Sequence, residues 1–296
     1  MAIPANPSVS DIVTAGLKHG GRINPSAGDI TNFTNEQFQQ VKADIYLAAP
    51  QHNSLEVVGC IPVDTSISRY NWPANCESIK SIQLVDAPTG ANWLATAQAG
   101  GTASITLHTL FNENEDDIKG RMVCIVGGTG AGQFAQITAY NNSTKVATIE
   151  ANWTTLDSSW VTPNSTSVYL VESMRYKLYD IDKQIEFDTI TAPYLRGTPR
   201  LAVLVGRQIW LNYVPDRQYA MLVTYWFALD RLDEAATLFL DHLRKFRSVW
   251  VQGIAVKACQ RYDEQRYVTE SQIYRTMLGA YGGRAATVGQ TQFRDF

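Results

Sequence analysis

The chain is poor in the residues that most often carry chemistry. Among its 296 residues are four cysteines and four histidines, and charged side chains make up only 18%. Cys60, Cys76, Cys124 and Cys259 lie far apart with no Cys-x-x-Cys pair, a pattern of reduced thiols and not of a disulfide framework. His19, His52, His108 and His242 stand singly; there is no HExxH, and no Cys lies near a His at ligand spacing. His242 reads as a solvated residue on a charged helix face. A GxSxG nucleophile elbow is also missing. The acidic run NENEDD, residues 112 to 117, has Asp117 where a calcium loop needs glycine and Val123 where it needs glutamate, so it reads as a solvated connector. No catalytic, cofactor-binding or metal site is expected.

Other absences bound the partners. The net charge of −3 argues against an electrostatic nucleic-acid binder, which needs a basic face to displace counterions. The opening MAIPANPSVS has no basic region leading into an apolar run, so no signal peptide is expected. No stretch approaches the ~20 apolar residues that cross a bilayer. Hydrophobic residues are nonetheless 45% of the chain, enough for a substantial core in two domains or in one carrying an insertion.

The stretch CIVGGTGAGQFAQITAY, residues 124 to 140, is the nearest approach to a ligand motif. Gly127 and Gly132 have Walker A spacing, but Gln133 and Phe134 stand where that loop needs lysine and a hydroxyl. Gly128, Gly130 and Gly132 give GxGxG and not the dinucleotide GxGxxG. The residues after the glycines read as strand, polar turn at Asn141, Asn142 and Ser143, then strand, with no helix to face a phosphate. A glycine-shaped β-turn is expected.

The periodicity predicts an α+β fold. Helices fit residues 9 to 19, with Ser8 or Ser10 as cap, and 34 to 50, with Thr34 capping and Phe38, Val41, Ile45 and Leu47 as apolar contacts. β-rich segments begin at Leu55, and residues 86 to 104 read as an exposed loop. An all-β module, a small barrel or sandwich, is expected over 117–172. A hairpin comes after it, with Ile209, Leu211 and Tyr213 leading through VPDRQ into the strand Tyr219 to Phe227. From Asp233 the period is helical, with a stripe at Phe239, Leu243, Phe246, Trp250 and Ile254. Thr269 with Gln272 suggests a fresh helix start, and the glycine pair 282–283 an end. The expected organisation is a discontinuous helical and β domain over 1–116 and 173–283, the inserted module, and a flexible tail over 284–296.

Three segments carry a family resemblance: FTNEQFQQVKADIYLAAP, RYNWPANCESIKSIQLVDAP, and the C-terminal run from YAMLVTYWFALDRLDEAATLFL to SQIYRTML. In pattern they resemble the head–tail connector adaptors of short-tailed bacteriophages, over about two thirds of the chain. The resemblance implies a structural virion protein and no enzyme, assembled in the host cytoplasm as a ring, typically of twelve copies, below the portal protein. It implies double-stranded DNA passing through the ring without sequence-specific binding, a platform for tail nozzle and tail fibre proteins, and no membrane partner. It also implies a C-terminal segment that docks in the portal, here with Arg284, Phe293, Arg294 and Phe296. The alternatives are another tail structural protein, and a glycan-binding enzyme whose carboxylates would be a pair such as Asp180 and Asp182.

Overall fold

Ser8 starts the first helix by a reciprocal cap: its hydroxyl accepts from Asp11 N at 3.2 Å, and the Asp11 carboxylate takes Ser8 N at 2.9 Å. Helix α1 then spans Val9–His19 and buries Ile12, Val13, Gly16 and Leu17 on one side. The computed structural model describes all residues except 1–6, 23, 91, 151, 156–159, 182–194, 230–236 and 292–296, and the side chains of 237–238 and 284–291. The second helix starts earlier than its sequence suggests. Ser26 and Asp29 form a capping box for α2, Ala27–Asn32, which runs through a π-helical turn, Phe33–Gln37, into α3, Phe38–Ala48. Thr34 is therefore inside the helix, its hydroxyl bonded back to Ile30 O at 2.8 Å. Phe38, Val41 and Ile45 are buried as expected, but Leu47 is 75% exposed.

The interior of the chain is built of strands. In order they are β1 Glu56–Val63, β2 Arg69–Asn71, β3 Cys76–Asp86, β4 Leu94–Thr96, β5 Ala99–Gly101 and β6 Ser104–Thr106. After the short helix α4, Glu115–Ile118, come β7 Met122–Gly127, β8 Phe134–Asn141, β9 Val146–Ile149, β10 Val168–Val171 and β11 Met174–Asp180. The last are β12 Arg196–Gly197, β13 Ala202–Val205, β14 Gln208–Leu211, β15 Val214–Pro215 and β16 Tyr219–Phe227. A seven-stranded antiparallel sheet has the order β4-β10-β7-β8-β9-β6-β5, and a four-stranded sheet the order β1-β16-β3-β11. Because β4 to β6 belong to the larger sheet, the module begins ahead of residue 117. The stretch 86–104, expected as an exposed loop, contains strands and the buried Trp93. Its small polar residues hide the strand signal, which packing supplies instead.

A second correction concerns the hairpin. The strand β14 does not pair with β16; it pairs with β13 across the turn at Gly206 and with β2. Alternation in 209–213 identifies a strand correctly but not its neighbour, because period 2 carries no partner information. Strand β16 lies between β1 and β3, and eight of its nine residues are buried, as its two apolar faces require.

The C-terminal helices are α5 Thr237–Lys245, α6 Arg247–Tyr262 and α7 Glu264–Thr291. Phe239, Leu243, Phe246, Trp250 and Ile254 are all buried, so the stripe is a core stripe. The break falls at Asp263, and Thr269 is inside α7. The chain divides into two units, Met1–Glu56 with Trp226–Phe296, and Val57–Tyr225. The first is helical and made from both ends of the chain; the second is the β unit. The fold is α+β. Among the described residues no helix is long and apolar enough to cross a membrane.

Candidate docking helix

The resemblance directs attention to the end of the chain, and α7 leads there. This 28-residue helix continues through Gly282 and Gly283 to Thr291, where the sequence suggests a stop at the glycine pair and a flexible tail from 284. Three contacts along its length hold it within the helical unit. Near its start the buried Glu270 carboxylate accepts from Gln252 Nε2 at 2.7 Å and from Arg266 at 2.9 Å, and lies 3.4 Å from His19 Nε2. These donors, Gln252 first and Arg266 after it, hold the Glu270 carboxyl below its ordinary range against the opposing effect of burial. Arg266 also donates to His19 O at the end of α1, at 3.0 Å.

In the middle, Tyr274 packs on Gly253 of α6, where a Cβ would stand 3.0 Å from the Tyr274 hydroxyl and 2.5 Å from Val41. Glycine at 253 is what lets α3, α6 and α7 meet there. Two turns further on, Tyr281 meets two histidines, one at its ring face and one at its hydroxyl. The His52 ring stacks on it at 4.4 Å with planes 5° apart, and His242 Nε2 lies 2.9 Å from its hydroxyl. Trp250 Nε1 approaches His242 Nδ1 at 3.3 Å, and Phe246 meets the Tyr281 ring edge-on at 4.9 Å.

His242 is thus 1% exposed, not a solvated residue. Burial, then the charges of His52 and Lys245, push its pKa down to about 3. The sequence does contain the signal: His242 lies three residues after Phe239 and four before Phe246, on the apolar stripe itself. Away from these contacts α7 exposes apolar side chains, with Val268 60% and Ile273 41% exposed. The Arg284 side chain, and Phe293, Arg294 and Phe296 altogether, lie outside the described residues, as does Asp182 of the suggested carboxylate pair.

The glycine stretch folds as a turn between β7 and β8. Gly128, Gly130 and Gly132 have φ of +71°, +80° and +90°, the left-handed region where side chains are strained. The N–H groups of Ala131, Gly132 and Gln133 bond to chain carbonyls at Gly128, Ile125 and Gly130, so they are not aimed at an anion. Gln133 is buried, and its amide clamps the backbone of Val161. All four cysteines are buried and free, and among the described residues no group of three or more His, Cys, Asp or Glu could hold a metal ion. No protein-family model matches this chain, and comparison with curated proteins finds no significant match.

Proposed function

We propose that the protein is a structural virion component, a head-to-tail adaptor that attaches as a ring below the portal, extends the DNA channel and carries the tail nozzle and fibres. The reading rests on the sequence pattern described above and is supported by one structural observation. Both ends of the chain join in a single helical unit, and its last helix, pinned at Glu270, Tyr274 and Tyr281, continues past the glycine pair toward the C-terminus. Such a helix is a rigid stem for a docking segment at 284–296. Rigidity in the stem lowers the ordering entropy that docking must overcome. The alternative of a nozzle or fibre-attachment protein shares the β unit and differs in needing no portal contact.

Native mass spectrometry of the full chain and of a truncation ending at Gly283, each mixed with the portal ring, tests the reading. Stoichiometric decoration by the full chain and none by the truncation supports both the adaptor and its docking segment. Decoration that survives truncation moves the contact to the folded helices. No decoration by either favours the nozzle or fibre-attachment role.

A further inference from the structure

Two of the four buried thiols lie against each other. Cys60 stands in β1 of the four-stranded sheet and Cys124 in β7 of the seven-stranded sheet. Each is 0% exposed, and both belong to one continuous core of the β unit. Their side chains share a thiol–thiol hydrogen bond. The backbone brings the two strands together independently. Gly132 N–H bonds to Ile125 O at 2.8 Å, beside Cys124, while a Cβ on the same glycine would stand 3.4 Å from Cys60 O. The glycine turn therefore touches both strands next to the two thiols. The remaining thiols are placed elsewhere: Cys259 in α6 approaches Gly20 O at 3.7 Å, and Cys76 opens β3, where Arg207 holds its carbonyl at 3.1 Å.

Contact with Cys60, and burial after it, push the Cys124 thiol well above its ordinary value. A protonated thiol closed off from water is a poor nucleophile, so the pair stays reduced while the chain is in a thiol-rich cytosol.

We infer that Cys60 and Cys124 are a latent cross-link, a disulfide that closes between the two sheets of the β unit when a small peroxide reaches the core. The step balances with hydrogen peroxide as oxidant. One sulfur attacks the peroxide, the O–O bond breaks, and a sulfenic acid and one water result. The second sulfur then displaces the sulfenic oxygen, which leaves as a second water while the S–S bond forms. The two sulfurs together lose two electrons and the peroxide gains them. Because the second thiol already touches the first, the sulfenic acid is captured before further oxidation. The bond closes a loop from residue 60 to residue 124, which contains β2 to β6, and a loop that long restricts the unfolded chain strongly. The inference stands on the thiol pair and does not require the adaptor reading.

Hydrogen peroxide added to the folded, previously reduced wild-type protein tests it. After quenching, the remaining thiols are alkylated with N-ethylmaleimide in urea and the intact mass is read. The expected product carries two alkylated thiols where the reduced chain carries four, and its unreduced peptide map joins Cys60 to Cys124. Its Tm should rise by ~5 °C or more and return to the starting value with dithiothreitol. Cys60→Ala and Cys124→Ala, each first shown to unfold cooperatively, should gain neither the bridge nor the rise. Pairing through Cys76 or Cys259, sulfinic acid at 60 or 124 in place of a bridge, four free thiols after exposure, or a bridge that lowers the Tm would each overturn the inference. Portal decoration is read separately, so the adaptor reading stands or fails on its own measurement.

Discussion

Trp250 Nε1 donates to His242 Nδ1, and because an indole nitrogen can only donate, the bond fixes the tautomer of the histidine. The single proton of the neutral ring sits on Nε2 and is given to the Tyr281 hydroxyl. A second proton on Nδ1 would face the indole N–H, donor against donor, in a site closed to water. On the neighbouring His52 the same logic applies, since its Nδ1 receives the N–H of Ser54 at 3.1 Å.

Acid should therefore loosen the helical unit. His242 is neutral when folded down to about pH 3, whereas the unfolded chain binds its proton near the ordinary 6.5. The stabilising difference is fully present above pH 6.5 and is lost as pH falls from there toward 3, by about 3 kcal/mol between pH 7 and pH 4. Urea titrations read at Trp fluorescence across that range should show the loss in wild type and a flatter profile in His242→Gln. An equally steep profile in the variant would assign the acid sensitivity elsewhere.

The crossing of α1 on α6 depends on a missing side chain. A Cβ at Gly16 would lie 2.5 Å from Ile254 Cβ and 3.0 Å from Val251 O. Gly16→Ala gains about 1 kcal/mol of helix propensity but should lose ~2–3 kcal/mol to overpacking, a net destabilisation. In an Ile254→Ala background the cost should shrink but persist, because alanine removes the Cγ2 at 2.5 Å and keeps the Cβ at the same distance. A double-mutant cycle by thermal unfolding measures that partial relief; an undiminished cost would sink it.

Two glycines of the β unit separate backbone strain from steric conflict. Gly206 has φ +59° with open space where a Cβ would go; Gly128 has φ +71° and would place a Cβ 1.9 Å from Thr166 O. Gly206→Ala should cost about 1 kcal/mol, from conformation alone. Gly128→Ala should cost considerably more, because backbone must move. Urea midpoints of the two variants would show the gap; equal midpoints would mean that the turn rearranges freely.

Asp86 and Arg217 form the ion pair most worth breaking. The Asp86 carboxylate is 4% exposed and takes Arg217 at 2.6 Å and the N–H of Ala87 at 2.7 Å. Arg217 also reaches the Tyr219 hydroxyl, which donates to Asp216 at 2.6 Å. Arg217→Ala leaves a buried carboxylate without its cation and should destabilise the β unit by about 3 kcal/mol. Arg217→Ala combined with Asp86→Asn should cost less than the two single changes added together, a coupling that denaturant unfolding of the four chains can measure.

Much of this architecture is legible in the residues, though unevenly. The helix at 9–19 is readable to the residue because Ser8 and Asp11 cap it locally. The stripe from Phe239 to Ile254 is equally plain, since one periodic face is buried. The partner of β14 is not readable, because strand alternation fixes a face and leaves the neighbour to the fold. Trp93 and the short strands around it escape notice because their stability comes from packing among small polar residues of low strand propensity. The charged sequence neighbours of His242 suggest a solvated side chain, although its spacing to Phe239 and Phe246 places it in the core. The Arg69 guanidinium over the Trp210 ring, at 3.9 Å, cannot be found from spacing at all; it exists only where β2 meets β14, 137 residues apart between Gln208 and Asn71.

Making the helical unit from both ends of the chain has a consequence during synthesis. Helix α1 leaves the ribosome long before the groove it fills, lined by Ile254 and Ala258, has been made. Until then α1, with its apolar Ile12, Val13 and Leu17, lacks the helix it packs against most extensively, while every strand of the β unit has already been made. The nascent chain thus carries an adhesive helix through the whole translation of the β unit. Closure of α6 on α1 is the step that both completes the fold and ends that exposure.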